Sequence, residues 1–549
     1  MGRYLNGYLK FMPLAAIIVV YSIAAFYNLG NVRSPQTAWT EPGAVIIDLG
    51  DVRYISRFQF MMGARHDVHF MLYASADGST WDFALQIEGG DVFAWADRHI
   101  STQARFVQIV PFRPGLRLQE LAFRDHAGQL IAPYYIFTPG AEVLFDEQHL
   151  VPLYTSFMNS TYFDEIYHAR TGYEFLHGLR VFETTHPPMG KNLIAMGISV
   201  FGMTPFGWRV PGTLAGILMI PLMYAFGRMM FGHRMGLFCA FIFAFDFMTF
   251  AQTRIATIDS FVTLFILASY LCMYAYVKLG EVPYPIHAML IRSSIFLAGS
   301  GLFIGLAIAT KWQGLYGLVG LPFLFFPAWY AVYKRDKKEA WITFAGCFAF
   351  FIAIPIVVYL LSYIPFVRAM DTGGGFLYTV IANQHHMFLY HSELLDGHPF
   401  SSRWWEWPLL IRPMFYYAST TPDGLRRGIS SFGNPAVWWM GIFALVYALK
   451  KFDQNRNIVY FILVAYAAQF LPWVFVDRAT FIYHYFPSVP FVVLLIAFFF
   501  RDQEPRVTGA YGALVFALFI LFYPVLSAAP VSISFVETFL RWLPAWVLV

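Results

Sequence analysis

The sequence predicts a polytopic α-helical membrane protein with one polar β-domain after its first membrane helix. Of its 549 residues, 58% are hydrophobic and only 13% are charged, whereas an ordinary soluble domain is about 45–50% apolar and about 25% charged. The mean hydropathy of +0.54 agrees with this assignment. Long apolar stretches recur after residue 208, and short alternating runs are confined to one region near the N-terminus. We therefore expect about eleven transmembrane helices and one β-sandwich.

Residues 1–35 are expected to contain the first membrane helix. An apolar run from residue 11 to about residue 29 follows Arg3 and Lys10. The run is longer than the apolar core of a typical signal peptide, and no small-residue cleavage site follows it. Because basic residues favour the cytoplasmic side, the N-terminus is predicted to lie inside.

Residues 36–137 have the pattern of an antiparallel β-sandwich. Runs such as VIIDLG, VHFMLYAS and RFVQIVPF alternate with Gly, Asp and Arg. In ASADGSTWDFAL, the pair Asp77 and Gly78 predicts a hairpin turn. The segments IDLG, YASADGSTW, ARFVQI and LRLQEL resemble the discoidin (F5/8 type C) jelly-roll family, whose members often bind carbohydrate or membrane surfaces.

Two functions of this β-region stay open, a structural spacer and a domain that selects or retains acceptors without doing chemistry. In an acceptor-selecting domain, Trp81 or Trp95 would stack on a sugar ring. The alternative is that either side chain lies in the core of the domain. Replacing the region with a short linker is then expected to leave transfer to a small peptide largely intact.

Residues 138–208 form a predicted extracytoplasmic loop with short interfacial helices. Most of a dense polar stretch, YFDEIYHARTGYEFLHGLRVFETTHPPMGK, lies here and ends at Lys191. It contains the adjacent carboxylates Asp164 and Glu165, and His186 begins its HPPMGK segment. Ionisable clusters beside a membrane are costly and usually functional, so this stretch is the first candidate site.

The remaining chain is predicted to hold ten more membrane helices of about 20 residues each. Six lie in 209–365 and four in 435–528, with a long outer loop at 366–434 and an interfacial tail at 529–549. Basic loops such as YKRDKKEA and LKKFDQNR all fall on one side, which identifies that side as cytoplasmic. The approximate spans are 210–230, 236–253, 256–277, 293–310, 313–333, 341–363, 435–449, 458–476, 481–500 and 509–528.

Polar and aromatic residues at the opposite ends of these helices predict one wet cavity at the outer leaflet. Each alone has a structural alternative, because Arg side chains at helix ends often reach the headgroups and Trp side chains often anchor the interface. The candidates are Arg209, Asp246, Arg254, Asp259, Lys311, Trp312, Trp405, Arg412, Arg478 and His484.

The motifs together resemble the protein O-mannosyltransferase family, glycosyltransferase family 39, which has the GT-C membrane fold. The matching stretches are FDEIYH, HPPMGK, WRVPGTLAG, TRIATIDSF, ATKWQGLY, HPFSSRWWEWPLLIRPMFYY and YHYFPSVPF. The bacterial branch is the better match, because the outer loop is too short for the β-trefoil of eukaryotic members. The β-region after the first helix departs from the usual pattern. The resemblance implies transfer of mannose from a polyprenyl-phosphate donor to Ser or Thr of exported proteins, outside a bacterial plasma membrane.

The resemblance also implies roles for the candidate residues. Asp164 would be the base, Glu165 would orient the sugar or acceptor, and Arg209, Arg254 and Arg478 would bind the donor phosphate. The remaining candidates would bind substrate: His186, Lys191, Asp246, Asp259, Lys311, Trp312, Trp405, Arg412 and His484. No metal or other cofactor is expected, although His385, His386 and His391 are close in sequence.

Elementary chemistry agrees with these roles. A hydroxyl nucleophile needs a base within hydrogen-bond reach. A phosphate leaving group needs a positioned cation rather than an acid, and a single displacement inverts the anomeric carbon. An adjacent Asp–Glu pair in a loop is more often merely solvated, and Asp146 and Glu147 repeat the FDE triplet. Only the second triplet precedes YH and HPPMGK, which favours Asp164.

Three other functions are alternatives. A carrier-dependent transferase acting on a lipid or glycan would use the same donor site. A transporter is disfavoured, because the polar residues lie on one side and no inverted repeat is evident. A sugar-sensing surface protein would leave the carboxylates in the membrane helices unexplained. The expected partners are the donor, an exported acceptor protein, membrane lipid and the Sec translocon, and no nucleic acid.

Overall fold

The computed structural model of the protein describes residues 11–40, 43–64, 69–89, 91–112, 116–280, 286–370, 373–393 and 397–549. The chain divides into two compact units. The membrane unit comprises Met1–Tyr27, Gly178–Leu193 and Val210–Val549, and the β unit comprises Asn28–His177 and Ile194–Arg209.

The regular elements are named here in chain order. The first part of the chain has α1 (Met12–Phe26), β1 (Val45–Met62), β2 (His69–Ser75), β3 (Asp82–Glu88), β4 (Trp95–Pro111), β5 (Leu118–Arg124), β6 (Leu130–Ile131), β7 (Tyr135–Ile136), α2 (Glu165–His177), α3 (Met189–Phe201) and α4 (Pro205–Phe231). The middle has α5 (His233–Ala244), α6 (Phe247–Thr253), α7 (Asp259–Leu279), α8 (Ile286–Thr310), α9 (Gly314–Arg335), α10 (Lys337–Phe348), α11 (Ile354–Ser362), α12 (Ile364–Met370) and α13 (Gly375–Glu393). The last part has β8 (Met414–Thr420), β9 (Arg426–Ser431), α14 (Pro435–Lys450), α15 (Arg456–Phe470), α16 (Val489–Phe500), α17 (Pro505–Ser527) and α18 (Ile533–Phe535).

The β unit contains a seven-stranded antiparallel sheet in the order β3-β2-β4-β1-β5-β6, with β7 paired to β1. The long strands β1 and β4 change register between Asp48 and Arg53. Before this irregularity β1 pairs with β7, and after it β1 pairs with β5. Both halves share one apolar core, in which the rings of Phe60 and Phe70 are 5.4 Å apart. The predicted β-domain is therefore present, and its kinship to discoidin domains stays a prediction.

The predicted hairpin is also present. Strands β2 and β3 pair from His69–Glu88 to Ala74–Asp82, and Gly78 has φ +78° in the turn between them. Glycine adopts this left-handed conformation without the clash that a Cβ would cause.

The sheet also supports the segment that leads to α2. The Trp95 amide donates to Ser160 Oγ (2.9 Å), and Thr161 Oγ1 donates to the Val92 carbonyl (2.6 Å). The rings of Phe93 and Tyr173 are 4.9 Å apart. The predicted boundary at residue 137 therefore does not separate two independent bodies, because the sheet and the polar loop belong to the same unit.

The membrane unit has the predicted helical architecture. Among the described residues, eight helices are long and apolar enough to cross a membrane, and α5 with α6, bent by 58°, would make a ninth. Two more predicted spans coincide with shorter apolar helices, α1 and α14. Each of the eleven predicted spans thus contains a helix, and the chain is a multi-pass membrane protein.

Two segments predicted as loop or tail are more ordered than expected. The region 366–434 contains α13 and the hairpin of β8 and β9. In the C-terminal tail, Trp546 is buried and its Nε1 donates to the Leu410 carbonyl at 2.7 Å. The Arg426 amide of β9 donates to the Val531 carbonyl at 2.8 Å. The tail therefore packs on the hairpin region, which revises the prediction of a purely interfacial segment.

Candidate active site

Asp164 lies immediately before α2, at the position that caps the helix. Its carbonyl accepts hydrogen bonds from the amides of Tyr167 and His168, both at 3.0 Å. The preceding residue, Phe163, has φ +49°, which is uncommon for a residue with a Cβ and is often found where a structure fixes a functional group. Asp164 is partly exposed, whereas the next residue, Glu165, is buried.

Glu165 and Arg209 form a buried ion pair inside the β unit. Arg209 Nε and Nη2 donate to the two carboxylate oxygens of Glu165, both at 2.7 Å. The other three N–H groups donate to the carbonyls of Leu29 (2.8 Å), Phe157 (2.7 Å) and Ser160 (2.9 Å).

A guanidinium has five N–H donors, and all five of Arg209 are used. In this arrangement the guanidinium of Arg209 is saturated by protein groups, and both oxygens of Glu165 bind Arg209. The predicted roles of Arg209 in phosphate binding and of Glu165 in orienting sugar or acceptor stay predictions. The pair fixes the start of α2, where Asp164 lies.

The membrane unit contains a polar cavity of about 430 Å³. Four predicted residues line it, namely His186, Lys311, Trp312 and Arg478, together with residues that were not predicted: Thr185, Pro187, Gln313, Leu315, Tyr316, His391, Ser392, Trp473, Phe475, Val476 and Asp477. The cavity therefore brings together the HPPMGK, TKWQG and DRATF segments, as the sequence predicts for a single wet cavity.

The two cations of the polar cavity are held differently. Lys311 Nζ donates to Asp259 Oδ1 at 2.8 Å, and the ammonium lies 5.6 Å from the Tyr483 ring. Asp259 thus positions Lys311 and does not line the cavity itself. Arg478 has, among the described residues, one long hydrogen bond of 3.5 Å to the Ala479 carbonyl. Its guanidinium is therefore the better available anion-binding group.

A pair of histidines lies in the same cavity. The rings of His186 and His391 are 5.3 Å apart, and His391 Nε2 is 2.9 Å from the Thr185 carbonyl. This contact fits the tautomer in which Nε2 carries the proton. Burial, aided by the positive charges of Arg478 and Lys311, lowers the pKa of His391 to about 4. His391 is therefore neutral at physiological pH.

Lys191 holds the HPPMGK loop through contacts within the protein. It is buried and forms an ion pair with Glu183. Its Nζ also donates to the carbonyls of Glu183 (3.2 Å) and His186 (2.8 Å). These contacts use all three ammonium donors and position His186, so the predicted role of Lys191 in substrate binding stays a prediction.

Arg254 and Asp246 have structural contacts apart from the polar cavity. Arg254 donates from Nε to the Ala25 carbonyl (3.1 Å) and from Nη2 to the Tyr27 carbonyl (2.8 Å), at the end of α1. Asp246 caps α6 and accepts from the Asn434 amide at 2.9 Å. Neither residue lines the cavity, and the contacts of both hold helices together, so the phosphate role of Arg254 and the substrate role of Asp246 stay predictions.

The last three predicted residues also lie outside the cavity lining. His484 is buried, its Nδ1 accepts from the Phe481 amide at 3.0 Å, and its ring lies 4.4 Å from that of Trp473. Trp405 is exposed, and Arg412 Nη1 donates to the Ser401 carbonyl at 3.2 Å. Direct substrate contacts are therefore not supported for these residues in this conformation.

Gln313 and His391 are two of the cavity residues that were not predicted as site residues. Gln313 Nε2 donates to the His484 carbonyl at 2.8 Å, and its Oε1 is buried without a hydrogen-bond partner in the described part of the chain. The signal was present, since Gln313 belongs to TKWQG, next to Lys311 and Trp312. His391 was considered only as a metal ligand, because its sequence neighbours are also histidines.

A second, apolar cavity of about 390 Å³ lies further along α9, towards its C-terminal end. Leu318, Pro322 and Phe325 of α9 line it, with Cys347 and Phe351 from the α10 side. Residues three and four positions apart share one helix face. Leu315, which lines the polar cavity, is three positions before Leu318, so one face of α9 lines both cavities.

Among the described residues, three acidic side chains also cluster in the β unit. Carboxylate oxygens of Glu120, Asp146 and Glu147 lie within 4.8 Å of one another. Thr37 Oγ1 donates to Asp146 at 3.0 Å, and the Gln36 amide donates to Glu147 at 2.8 Å. The first FDE triplet therefore serves the packing of this segment, as expected if Asp164 belongs to the functional copy.

Two family models match the chain. The model described as "Dolichyl-phosphate-mannose-protein mannosyltransferase" matches residues 202–367, and that described as "C-terminal four TMM region of protein-O-mannosyltransferase" matches residues 376–546. Together they cover more than half of the chain.

Curated relatives and solved structures agree. The chain is 28% identical over 70% of its length to a polyprenol-phosphate-mannose–protein mannosyltransferase of Mycolicibacterium smegmatis, covering 87% of that protein. It is 27% identical over 74% of its length to the Corynebacterium glutamicum protein of the same name, covering 89% of it. The structure of the Saccharomyces cerevisiae Pmt1–Pmt2 complex bound to the sugar donor aligns over 70% of this chain and 89% of that one, with TM-score 0.62 and 14% identity. That alignment shows a shared fold.

Proposed function

Because this chain belongs to the protein O-mannosyltransferase family, we propose that it transfers mannose from a polyprenyl-phosphate-mannose donor to Ser and Thr hydroxyls of proteins. The names of the curated relatives support both the donor and the protein acceptor. The structural observation that carries the proposal is the polar cavity, in which Lys311 and Arg478 provide positive charge beside the aromatic rings of Trp312 and Trp473.

The polar cavity is assigned to the donor phosphate. Arg478 presents a planar fork of N–H groups that suits phosphate oxygens, and Lys311 adds a second positive charge. His391 is neutral, so it offers hydrogen bonds without adding charge. We assign neutralisation of the phosphate to these side chains and propose no metal or other cofactor. The lipid-linked sugar is a substrate.

The apolar cavity is assigned to the first isoprenoid units of the donor. One face of α9 leads from Leu315 at the polar cavity to Phe325, and ten residues of helix rise by about 15 Å. When Arg478 binds the donor phosphate, the isoprenoid chain attached to it would lie beside these apolar side chains. Burial of each CH₂ group there stabilises binding by about 0.8 kcal/mol.

Asp164 is assigned as the base. The acceptor oxygen bonds to C1 of mannose as the bond from C1 to the phosphate oxygen breaks, and the electron pair leaves on polyprenyl phosphate. The hydroxyl proton passes to the Asp164 carboxylate, and C1 is inverted. Asp164 suits this role better than Glu165, because both oxygens of Glu165 bind Arg209. The Phe163 conformation and the Glu165–Arg209 pair hold Asp164 in place.

The cellular setting is part of the proposal. The basic loops indicate which ends of the helices are cytoplasmic, and the polar cavity is lined by segments from the opposite ends. We therefore place the reaction at the outer face of a bacterial plasma membrane, on proteins exported by the Sec translocon, with surrounding membrane lipid as the solvent of the helices.

An in vitro transfer assay tests the function. Full-length protein, polyprenyl-phosphate-mannose and a Ser/Thr-rich peptide should give a peptide heavier by one hexose. Asp164→Asn keeps the shape of the side chain but not its basicity, and it should lower kcat by about 10²–10⁴-fold. Asp146→Asn, in the other FDE triplet, is the matched control and should retain wild-type turnover. Normal turnover of Asp164→Asn would remove the assignment of the base.

A further inference from the structure

An exposed row of aromatic rings crosses one face of the β unit. Across the sheet, Tyr135 of β7 pairs with Asp48 of β1, and Asp48 pairs with Phe106 of β4. Directly opposed residues point to the same face. Tyr135, Asp48 and Phe106 therefore share a face, and the alternate residues, such as Ile47 and Val107, point into the core.

The row continues to both sides of this line. The Phe137 amide donates to the Ile46 carbonyl at 2.9 Å, two residues along from Tyr135. Gln108 of β4 pairs with Tyr73 of β2, and Tyr73 pairs with Phe83 of β3. We call the set Tyr73, Phe83, Phe106, Tyr135 and Phe137 the aromatic face. It spans five strands, which is about 19 Å at the usual strand spacing.

The rings of the aromatic face lie in two groups on this side of the sheet, and three of the five are open to solvent. Centroids are 5.0 Å apart for Tyr135 and Phe137, 6.4 Å for Phe106 and Phe137, and 6.0 Å for Tyr73 and Phe83. Phe83, Tyr135 and Phe137 are 58%, 57% and 52% exposed. Large exposed aromatic groups cost free energy in water, and contiguous ones mark binding surfaces.

Polar groups are placed between the rings, and their charges cancel. Arg105 donates from Nε and Nη2 to the two oxygens of Asp48, both at 3.0 Å, and its guanidinium lies 4.8 Å from the Phe106 ring. Gln108 and the Tyr135 hydroxyl add neutral hydrogen-bonding groups. A site for anionic lipid would need an excess of Lys and Arg. The electrically balanced face instead complements a neutral ligand with both apolar and hydroxyl surfaces.

We propose that the aromatic face binds mannose-containing glycans on the acceptor protein. Sugar rings offer C–H faces that stack on aromatic rings and hydroxyls that hydrogen-bond at the ring edges. The inference rests on the proposed function, because the proposed reaction makes proteins that carry such sugars. It replaces the expectation that Trp95 stacks on sugar, since Trp95 is buried in the core, and it does not involve Trp81.

Binding of α-linked mannotriose to the full-length protein in nanodiscs tests the proposal. Tyr135→Ala combined with Phe137→Ala should weaken binding at least about tenfold, as expected for the loss of two stacking rings. Tyr135→Trp should retain binding, because it keeps an aromatic surface. Tyr54→Ala removes another exposed aromatic of the same sheet and is the matched control.

The transfer assay with an unglycosylated peptide distinguishes a failure of this proposal from a failure of the proposed function. The double variant should transfer mannose to that peptide at the wild-type rate and lose its preference for a peptide that already carries mannose. The proposal is overturned if wild-type protein and double variant bind mannotriose equally or not at all. It is also overturned if the double variant changes only the oligomeric mass, which would assign the aromatic face to contact with a second copy. A change only in the quenching of protein fluorescence by brominated lipid would overturn it too and would assign the face to the bilayer.

Discussion

At the scale of single residues, the structure separates two arginines that look alike in sequence. Arg478 lines the polar cavity, whereas Arg209 is buried with all five donors used. Arg478→Ala should lower kcat/KM for the donor by about 10²–10³-fold, and Arg478→Lys should rescue it in part, because the planar fork is lost. Thermal unfolding of Arg478→Ala should remain near wild type.

Arg209→Ala is the counterpart and should act through stability. Removing one partner of a buried ion pair costs about 3–5 kcal/mol, because Glu165 is left charged and without its partner. The thermal unfolding temperature should fall, and Arg209→Lys should not restore it, since an ammonium cannot reproduce five planar hydrogen bonds. A stable Arg209→Ala protein with weak donor binding would support the phosphate role of Arg209 instead.

The pKa of His391, lowered by burial to about 4 from the usual 6.5, predicts a pH effect at the same scale. Between these values the unfolded chain binds a proton that the folded chain does not. Stability should therefore fall as pH decreases from about 6.5 towards 4. His391→Gln cannot titrate, so its unfolding temperature should change less over this range. Equal pH slopes for both proteins would contradict the pKa assignment.

At the scale of elements, one face of α9 links the two cavities, and Val319, an exposed residue of the same helix, offers a control. Leu318→Trp should fill the apolar cavity and raise KM about tenfold for a donor with a long polyprenyl chain, but not for one with a short chain. Val319 is 63% exposed and does not line the cavity, so Val319→Trp should leave both donors unaffected. The same KM change for both donor lengths would argue against a chain-binding cavity.

The shape of that cavity depends on a π-helical turn, Ala349–Ala353, between α10 and α11. Such turns are rare and often lie at functional sites. A Cβ at Gly301 of α8 would lie 1.9 Å from the Phe350 carbonyl oxygen, so only glycine permits this helix contact. Neither the π turn nor its contact with Gly301 could be read from the apolar pattern of 341–363.

At the scale of the whole molecule, the sheet and the Asp164 segment belong to one compact unit. Replacing 36–137 with a Gly/Ser linker would remove the contacts of Val92 and Trp95 with Thr161 and Ser160. We now expect this variant to lose transfer even to a short peptide, opposite to the expectation from sequence alone. The measurement is peptide transfer by protein that elutes as a monodisperse species. Retained activity would show instead that the β-region can be removed without loss of peptide transfer, as the sequence predicted.

The sequence by itself determined the class of protein, where its apolar helices lie, the β-region and the segments that line the polar cavity. Hydrophobic periodicity and short motifs can be recognised from residues that are close in sequence, without knowledge of the tertiary contacts. They also favour the FDE triplet at Asp164 over that at Asp146, which stays a prediction.

Only the tertiary structure decided which polar side chains remain available for substrate. Arg209, Lys191 and Asp246 lie in the same motifs as the cavity residues, yet their donors or acceptors are used by partners in the fold. A buried charge must be paired, and its partner can be distant in sequence, as Asn434 is from Asp246. The aromatic face likewise follows from strand register, because pairing between distant strands determines which rings share a side.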